Sequence, residues 1–525
     1  MTQLILDMVH HNPGEPLYDT AFDDPAMLQK MGHNGKVYFL FDSPLLAINW
    51  ESVDASILPP DSADRRWVEA KAARIRAQHA ACRAGGLAIF AMSDMVLFPR
   101  RLVELYQLHD TFGDPRHPQT RRLLRAQIGE LFTQFPDLDG LVVRIGETYL
   151  HDAPYHLGSI HHKRDATRTI IPLLQLLREE ICEKWERTLI FRTWYSFDQH
   201  PAVYEAMCAA VPPHPRLIIG VKHCEGDFHR ANPFSRLIGM GHHRQIIEVQ
   251  CAREYEGKGA YPNYIAHGII DGFEEHGRLP PTRLRSIGQF ARERPDLFAG
   301  IWTWSRGGGW NGPYIQHELW PELNAWVLAQ WARDPARSET EVFHRFAQEQ
   351  LGLAGNDIPR FRRLCLLSAD AVLRGRNSTR RDMNPWWTRD QGISWPGAPL
   401  KKEARQRNLQ QKDEAVRLWQ EIVRLAEGIT WPDAATGEHA RGSAYYGLHL
   451  FEIYRTLVYL AAAEATENRE QVQHWLRKYD EAWANYNALP EQFSNLATLY
   501  TQDYTLHLRN NAHEQVAHLQ KTYNQ

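Results

Sequence analysis

"IIEVQCAREYEGKGAYPNY", residues 246–264, begins as a buried β-strand and then turns polar. Ile246, Ile247 and Val249 are apolar and β-branched, which is typical of a strand. Charged residues follow at once, among them Glu254, and the preceding apolar run leads to another isolated acid, Asp227. A buried strand that becomes charged where it ends is the pattern of a barrel strand whose C-terminal end enters an active site.

Seven further short apolar runs resemble this one, and helical patterns separate them. With 245–250, the runs cover 4–9, 36–41, 87–92, 140–145, 188–194, 216–222 and 300–304. Between two of them, segment 121–135 places Leu124, Ile128 and Leu131 on one face, as an amphipathic helix does. Eight strands that alternate with helices predict an α/β fold, the (β/α)8 TIM barrel.

The pattern changes after about residue 320. From there the apolar residues recur at helical spacing, as in "EAVRLWQEIVRLAE", residues 414–427. We therefore predict a catalytic barrel over 1–320 and an all-α C-terminal domain over 321–525. Segment 374–400 has no periodicity and is rich in turn formers, so we expect a long loop or a link between helices there.

Composition excludes several classes of function. The 525 residues carry a net charge of −3, which draws the chain neither to nucleic acid nor to an anionic membrane surface. The six cysteines are scattered without a CxxC pair, as buried thiols of a reducing compartment are. We see no secretory signal and no apolar stretch long enough to span a bilayer, so we expect a cytoplasmic location.

Polar residues recur at the C-terminal end of one predicted strand after another. That end of a TIM barrel builds the active site. The residues in this position are Arg144 and Glu147, Arg192 and Trp194, Lys222 and Asp227, Glu254, and Trp302, Trp304 and Arg306. Each has a plain structural explanation when taken alone, but charges gathered at one end of a barrel are costly unless they are paired or used.

Paired carboxylates and basic side chains in one pocket fit glycoside hydrolysis. An inverting glycosidase needs one carboxyl group to protonate the leaving oxygen and a carboxylate across the ring to activate water. A neutral sugar offers no charged group for basic residues such as Arg144, Arg192 and Lys222 to bind. We therefore expect an acidic oligosaccharide substrate whose carboxylate is held by arginine and lysine.

The same motifs resemble the α-glucuronidases of glycoside hydrolase family 67. The resembling segments are "VRIGE" (143–147), "FRTWY" (191–195), the Lys222–Asp227 spacing, "EVQCAREYEG" (248–257) and "GGWNGPYIQHELWPELNAWVLAQWARDP" (308–335). The resemblance covers roughly residues 85 to 335. It does not include the N-terminal β-rich domain of that family.

The resemblance implies roles for individual residues. Glu147 would be the general acid, and Asp227 and Glu254 would be the two candidate bases for the attacking water. The uronate carboxylate would be bound by Arg144, Arg192 and Lys222, and further sugar contacts would come from Trp194, Trp304 and Trp310. Glu248, still inside the strand, would support these residues. The implied activity is inverting removal of an α-linked glucuronic acid or related uronic acid from the end of a chain, without a cofactor or a metal.

Two departures concern the leaving-group side. "GETYLHDAPYHLGSIHH" (146–162) lacks the glycine–proline pattern that the family has after its acid, and Arg144 stands where the family has lysine, one position farther away. The natural aglycone therefore stays open.

Other functions also fit parts of the pattern. Histidines after strand 4 and around Asp227 suggest a metal-dependent barrel hydrolase; they are His151, His156, His161, His162, His223 and His229. A catalytically inactive acidic-sugar-binding protein is a further alternative. The helical domain is a possible homodimer surface.

Overall fold

The computed structural model describes most of the chain. The described residues are 3–13, 19–147, 150, 152–194, 196–308, 312–376, 393, 395–399, 401–500 and 512–523.

Eight parallel strands close into a barrel, which confirms the predicted fold class. The strands are β1 (Leu4–His10), β2 (Gly35–Tyr38), β3 (Ala88–Asp94), β4 (Gly140–Arg144), β5 (Thr188–Arg192), β6 (Leu217–Lys222), β7 (Arg244–Gln250) and β8 (Phe298–Gly307). Each strand pairs with its neighbours in sequence, and β8 pairs with β1 to close the ring. All eight apolar runs named above are strands of this barrel.

Helices surround the barrel and continue beyond it. The helices up to the end of the barrel are α1 (Pro25–Met31), α2 (Ala63–Ala84), α3 (Arg100–Leu105), α4 (Pro118–Gln134), α5 (Ile171–Leu177), α6 (Ser196–Gln199), α7 (Pro201–Ala210), α8 (Ile287–Glu293) and α9 (Leu319–Arg333). The rest are α10 (Glu339–Arg345), α11 (Asp357–Arg376), α12 (Lys402–Glu427), α13 (Ala434–Glu464), α14 (Arg469–Asn487) and α15 (Ala512–Tyr523). A short antiparallel pair, Leu97–Pro99 with His156–Gly158, lies outside the barrel sheet.

The side chains inside the barrel form apolar layers with a charged layer above them. Val142 of β4 and Ile190 of β5 belong to the apolar interior. Side chains alternate between the two faces of a strand, so the residues two positions later, Arg144 and Arg192, share that inward face. Both are buried at the C-terminal ends of their strands. This alternation explains why apolar runs end in buried charge.

The C-terminal helices pack on the barrel, and α11 to α14 pack on one another in sequence order. The indole N–H of Trp320 in α9 donates to the Ser443 hydroxyl in α13 at 3.0 Å. Helix α9 contacts β8 and β1 as well as α13, so it joins the two parts of the chain. The boundary at residue 320 stays a prediction. Most of the predicted loop, 377–392, lies outside the described residues.

Two further expectations can be compared with the fold. All six cysteines are buried free thiols, as predicted. In the described parts of the chain, no helix combines the length and the apolar character that crossing a membrane requires.

Candidate active site

The three basic residues predicted to bind the substrate carboxylate lie around one tryptophan. The ring centre of Trp194, just after β5, lies 3.9 Å from the Lys222 ammonium nitrogen. It lies 4.7 Å from the guanidinium carbon of Arg192 and 5.6 Å from that of Arg144. Cations at such distances from an indole face are attracted by its quadrupole. The ends of β4, β5 and β6 therefore converge on a single aromatic surface.

Arg144 joins this surface to the predicted general acid. Its Nε and Nη2 donate to the two carboxylate oxygens of Asp94, at 2.6 and 2.7 Å. Its Nη1 donates to Glu147 at 2.9 Å. The bidentate contact with Asp94 fixes the plane of the guanidinium group, which in turn orients the partly exposed Glu147 carboxyl group.

Arg192 is held by Glu248 in the same way. Nε and Nη2 each donate to one Glu248 oxygen at 2.6 Å, and both side chains are buried. The third nitrogen, Nη1, is buried without a hydrogen-bond partner among the described residues. The guanidinium carbon lies 5.3 Å from the ring centre of Trp304. Glu248 thus holds Arg192 by two hydrogen bonds, and its supporting role at a substrate site stays a prediction.

Lys222 lies between two carboxylates at longer distances. Its ammonium nitrogen is 3.4 Å from Asp198 and 3.5 Å from Asp227. Burial raises the pKa of Asp198 above the usual value, although Lys222 acts in the opposite direction. Asp227 also accepts a 2.8 Å hydrogen bond from the Tyr255 hydroxyl. Two neighbours therefore hold the Asp227 carboxylate at the edge of the site.

Glu254 is buried in the loop after β7, next to Tyr255. Its backbone N–H donates to the Gln250 side chain at 3.0 Å. Gly308, just after β8, packs against the Gln250 side chain. A Cβ at Gly308 would lie only 2.0 Å from Gln250 Nε2. The φ of +88° at Gly308 is also one that glycine tolerates best. Both loops are therefore packed closely around Glu254.

The other charged residues of segment 246–264 bind one another. Arg253 Nε lies 3.1 Å from Glu256, and both side chains are buried. Glu256 also accepts from the backbone N–H of Arg230 at 2.8 Å and from Asn263 at 3.1 Å. The charged residues after β7 therefore have two different roles. Arg253 and Glu256 stabilise the loop by pairing with each other, whereas Glu254 lies at the C-terminal end of the barrel.

The structure adds residues that sequence reasoning missed. Asp94 is the last residue of β3. A search for polar residues at the C-terminal end of β3, like the one made for the later strands, would have found it. Asp198 lies in the short helix α6 and Tyr255 in the loop after β7, and no spacing in the sequence connects them with Lys222 or Asp227. Trp310 lies outside the described residues.

His10 at the end of β1 adds a neutral group to the barrel mouth. Burial lowers the pKa of His10 well below the usual value, and the positive charges of Lys258 and Arg144 lower it further. The imidazole packs 3.6 Å from the Phe39 ring centre. It therefore contributes an uncharged ring beside the charged cluster.

In the described part of the chain, the histidines of the metal alternative belong to no group of three potential metal ligands. His223 packs on Phe228 and His229 on Tyr255, while His156 is buried next to Trp67; His151 is not among the described residues. Within the described chain, one trio of potential metal-binding side chains comes together elsewhere, namely His267, Asp271 and Glu339.

That trio has other partners. Hydrogen bonds to Asp271 and Glu339 raise the pKa of His267 to about 9, so its imidazole is protonated at neutral pH and pairs with the two carboxylates. Glu339 is also paired with Arg362. These contacts indicate an ion-pair network between the barrel and the helices that follow it.

Comparison with known proteins shows a shared fold. No protein-family model and no curated protein matches the sequence. A glycoside hydrolase family 138 enzyme that targets pectin rhamnogalacturonan II has a TM-score of 0.62 at 12% identity, over 99% of this chain and 67% of that chain. A family 89 glycoside hydrolase from Clostridium perfringens, in complex with PUGNAc, has a TM-score of 0.50 at 10% identity, over 87% of this chain and 50% of that chain. The chain thus has a glycoside hydrolase-like fold, and the family 67 resemblance stays a prediction.

Proposed function

We propose that the chain is an inverting exo-glycoside hydrolase that removes an α-linked uronic acid from an acidic oligosaccharide. One observation carries this proposal: the Trp194 ring lies beside Arg144 and Lys222, which contact Glu147 and Asp227 respectively. An acid, a base and an aromatic surface for a sugar ring are the parts that such a reaction needs.

In this mechanism Glu147 donates its proton to the glycosidic oxygen as the bond to the leaving group breaks. A water activated by Asp227 attacks the anomeric carbon from the opposite face, and inversion follows. The 2.8 Å hydrogen bond from the Tyr255 hydroxyl orients Asp227 for this task. Glu254 is the second candidate for the base.

Unused donors at the barrel mouth support a polar ligand. In the part of the chain that the structure describes, the buried indole N–H groups of Trp194, Trp302 and Trp304 have no hydrogen-bond partner, and neither has the amide nitrogen of Gln250. Buried donors are almost always satisfied in proteins. Sugar hydroxyl groups are acceptors that could serve several of them at once.

Recognition of the uronate carboxylate rests on Lys222 and on Nη1 of Arg192. Internal carboxylates balance the charges of Arg144 and of Arg192, so the mere presence of basic residues argues less for an acidic sugar than the sequence suggested. What argues for it is Nη1 of Arg192, for which the described residues offer no hydrogen-bond partner, together with the long contacts of the Lys222 ammonium group. A carboxylate bound between the two would make shorter charge-assisted bonds.

The test is a screen of uronic-acid-containing oligosaccharides, pectic fragments included, for released uronic acid. NMR of the fresh product should show the β anomer first, which is the inverted configuration. Release of neutral sugars alone would contradict the proposal. Activity that survives a metal chelator separates it from the metal-dependent alternative.

A further inference from the structure

Asp198 is a buried carboxyl group at the barrel mouth whose oxygens are poorly satisfied. It lies in the short helix α6, just after β5, and its side chain is 4% exposed. Neither of its oxygens has a hydrogen-bond partner among the described residues. The Lys222 ammonium group is 3.4 Å away, which is longer than the ~2.7–2.9 Å of a charge-assisted hydrogen bond. A buried carboxylate with so little compensation is costly to keep ionised.

The surroundings of Asp198 act on its charge in both directions. The charged groups that affect it most strongly are Lys222 on β6, Arg192 on β5 and Asp227 in the loop after β6. Helix α7 packs against α6 with the aromatic ring of Tyr204. Burial raises the pKa of Asp198, the positive charges of Lys222 and Arg192 lower it, and the negative charge of Asp227 raises it.

The cations that are proposed to bind the uronate already have carboxylate neighbours. Arg144 and Arg192 each make two hydrogen bonds to one carboxylate. Lys222 lies between the carboxyl groups of Asp198 and Asp227, at 3.4 and 3.5 Å. A substrate carboxylate at this point brings a third carboxyl group to one ammonium group. Carboxylates crowded in this way do not all stay ionised, and one of them takes up a proton.

We propose that Asp198 is a substrate-binding residue that takes up a proton when the uronate binds. The inference rests on the proposed function, which places the substrate carboxylate beside Lys222 and Arg192. The protonated Asp198 then donates an O–H···O⁻ hydrogen bond to that carboxylate. The proton comes from the solvent and returns to it when the uronic acid leaves. Asp227 stays ionised, because the 2.8 Å hydrogen bond from the Tyr255 hydroxyl stabilises its charged form.

This role of Asp198 fixes the direction of a pH effect. Bound uronate raises the pKa of Asp198 further, so the complex holds one more proton than the free protein between the two pKa values. Within that window the affinity for the uronate falls by up to about tenfold per pH unit as the pH rises. A neutral sugar brings no charge to Lys222, so its affinity has no such fall.

The experiment compares a uronic acid with its neutral counterpart as inhibitors of the full-length protein. 4-Nitrophenyl α-glucuronide and α-galacturonide first identify the uronic acid that is released. The inhibition constants of that free uronic acid and of glucose or galactose are then measured from about pH 5 to about pH 8, where the uronic acid, with a pKa of about 3, stays ionised. The ratio of the two constants removes pH effects that act on both inhibitors. We expect this ratio, uronic acid to neutral sugar, to rise about tenfold or more over the range.

The variants are Asp198→Asn and, as a matched control, Asp296→Asn. An asparagine amide is neutral and donates hydrogen bonds, as a protonated carboxyl group does, but it does not titrate. The Asp296 side chain is 65% exposed in the loop between α8 and β8, at the opposite end of the barrel. Asp198→Asn should give a ratio that is independent of pH and should bind the uronic acid at about pH 8 at least as tightly as the parent does. Asp296→Asn should keep the parent profile, and melting temperatures show whether both variants are folded.

The outcomes separate the two proposals. If a nitrophenyl uronide is cleaved but the parent ratio is constant with pH, or if Asp198→Asn keeps the parent slope, Asp198 takes up no proton with the uronate. An equal loss of affinity for both sugars in Asp198→Asn at every pH also overturns the inference, because Asp198 would then be an ionised acceptor for sugar hydroxyl groups. If neither nitrophenyl uronide is cleaved by the parent, the proposed function fails, and the inference about Asp198 fails with it.

Discussion

Replacing Glu248 with glutamine removes the counter-charge of a buried guanidinium group. Arg192 and Glu248 are 1% and 0% exposed, and both hydrogen bonds between them measure 2.6 Å. Removing one partner of such a pair leaves an uncompensated charge in the barrel, which costs about 3–5 kcal/mol. We therefore expect Glu248→Gln to lower the free energy of unfolding by that amount.

Urea unfolding followed by tryptophan fluorescence measures this loss, and an exposed pair provides the control. Arg345 and Glu349 have a similar two-bonded contact, at 3.0 and 3.2 Å, but they are 38% and 47% exposed. Glu349→Gln should cost about 0–1 kcal/mol, because water solvates the remaining charge.

A double variant tests whether the cost comes from the pair itself. Glu248→Gln combined with Arg192→Met removes both charges, so it should be less destabilised than the sum of the two single variants. Equal losses for Glu248→Gln and Glu349→Gln, or strictly additive effects in the cycle, would refute the reasoning.

Three further predictions concern substrate binding, catalysis and pH. Lys222→Ala should chiefly raise KM for the uronate, about ten- to a hundredfold, because a charge-assisted contact of ~1.5–3 kcal/mol is lost. Binding of the neutral sugar counterpart should change little. Equal effects on both sugars in steady-state kinetics would count against a role of Lys222 in carboxylate binding. Tyr255→Phe should lower kcat about tenfold or more with little change in the melting temperature, because it removes the 2.8 Å hydrogen bond to Asp227; an unchanged kcat would show that Asp227 does not need this contact. Burial raises the pKa of Asp7 to about 6, so the folded state holds its proton between the ordinary value near 3.8 and 6, and stability falls as the pH rises through that window. Urea unfolding at pH 4 and pH 7 should show that Asp7→Asn removes up to about 3 kcal/mol of this fall, whereas an identical pH profile for parent and variant would contradict the assignment.

The sequence predicted the barrel because its strands are short, apolar and regularly spaced. It also predicted the end of the barrel at which the charges lie, since Arg144 and Arg192 follow apolar inward positions by two residues. Local patterns of this kind carry over directly into a parallel sheet.

The partners of those charges were harder to predict. Asp198 of α6 contacts Lys222, and Tyr255 of the loop after β7 contacts Asp227, only because both segments fold over the same barrel end. The sequence could not show that Glu248 neutralises Arg192 either, so it overstated how much free positive charge the site offers. Such contacts depend on tertiary packing and produce no periodic pattern in the sequence.

The central claim is that Glu147 is the general acid and that Asp227 or Glu254 activates the water. Varying the leaving group tests this claim most directly. The measurement is kcat/KM of Glu147→Ala, Asp227→Ala and Glu254→Ala on a uronosyl sugar and on the nitrophenyl uronide, relative to the parent. Glu147→Ala should lose about 10²–10⁴-fold on the sugar and far less on the nitrophenyl substrate, whose leaving group barely needs a proton. Asp227→Ala and Glu254→Ala should be slow on both, because water activation does not depend on the leaving group. Equal losses of Glu147→Ala on the two substrates would contradict its role as the general acid.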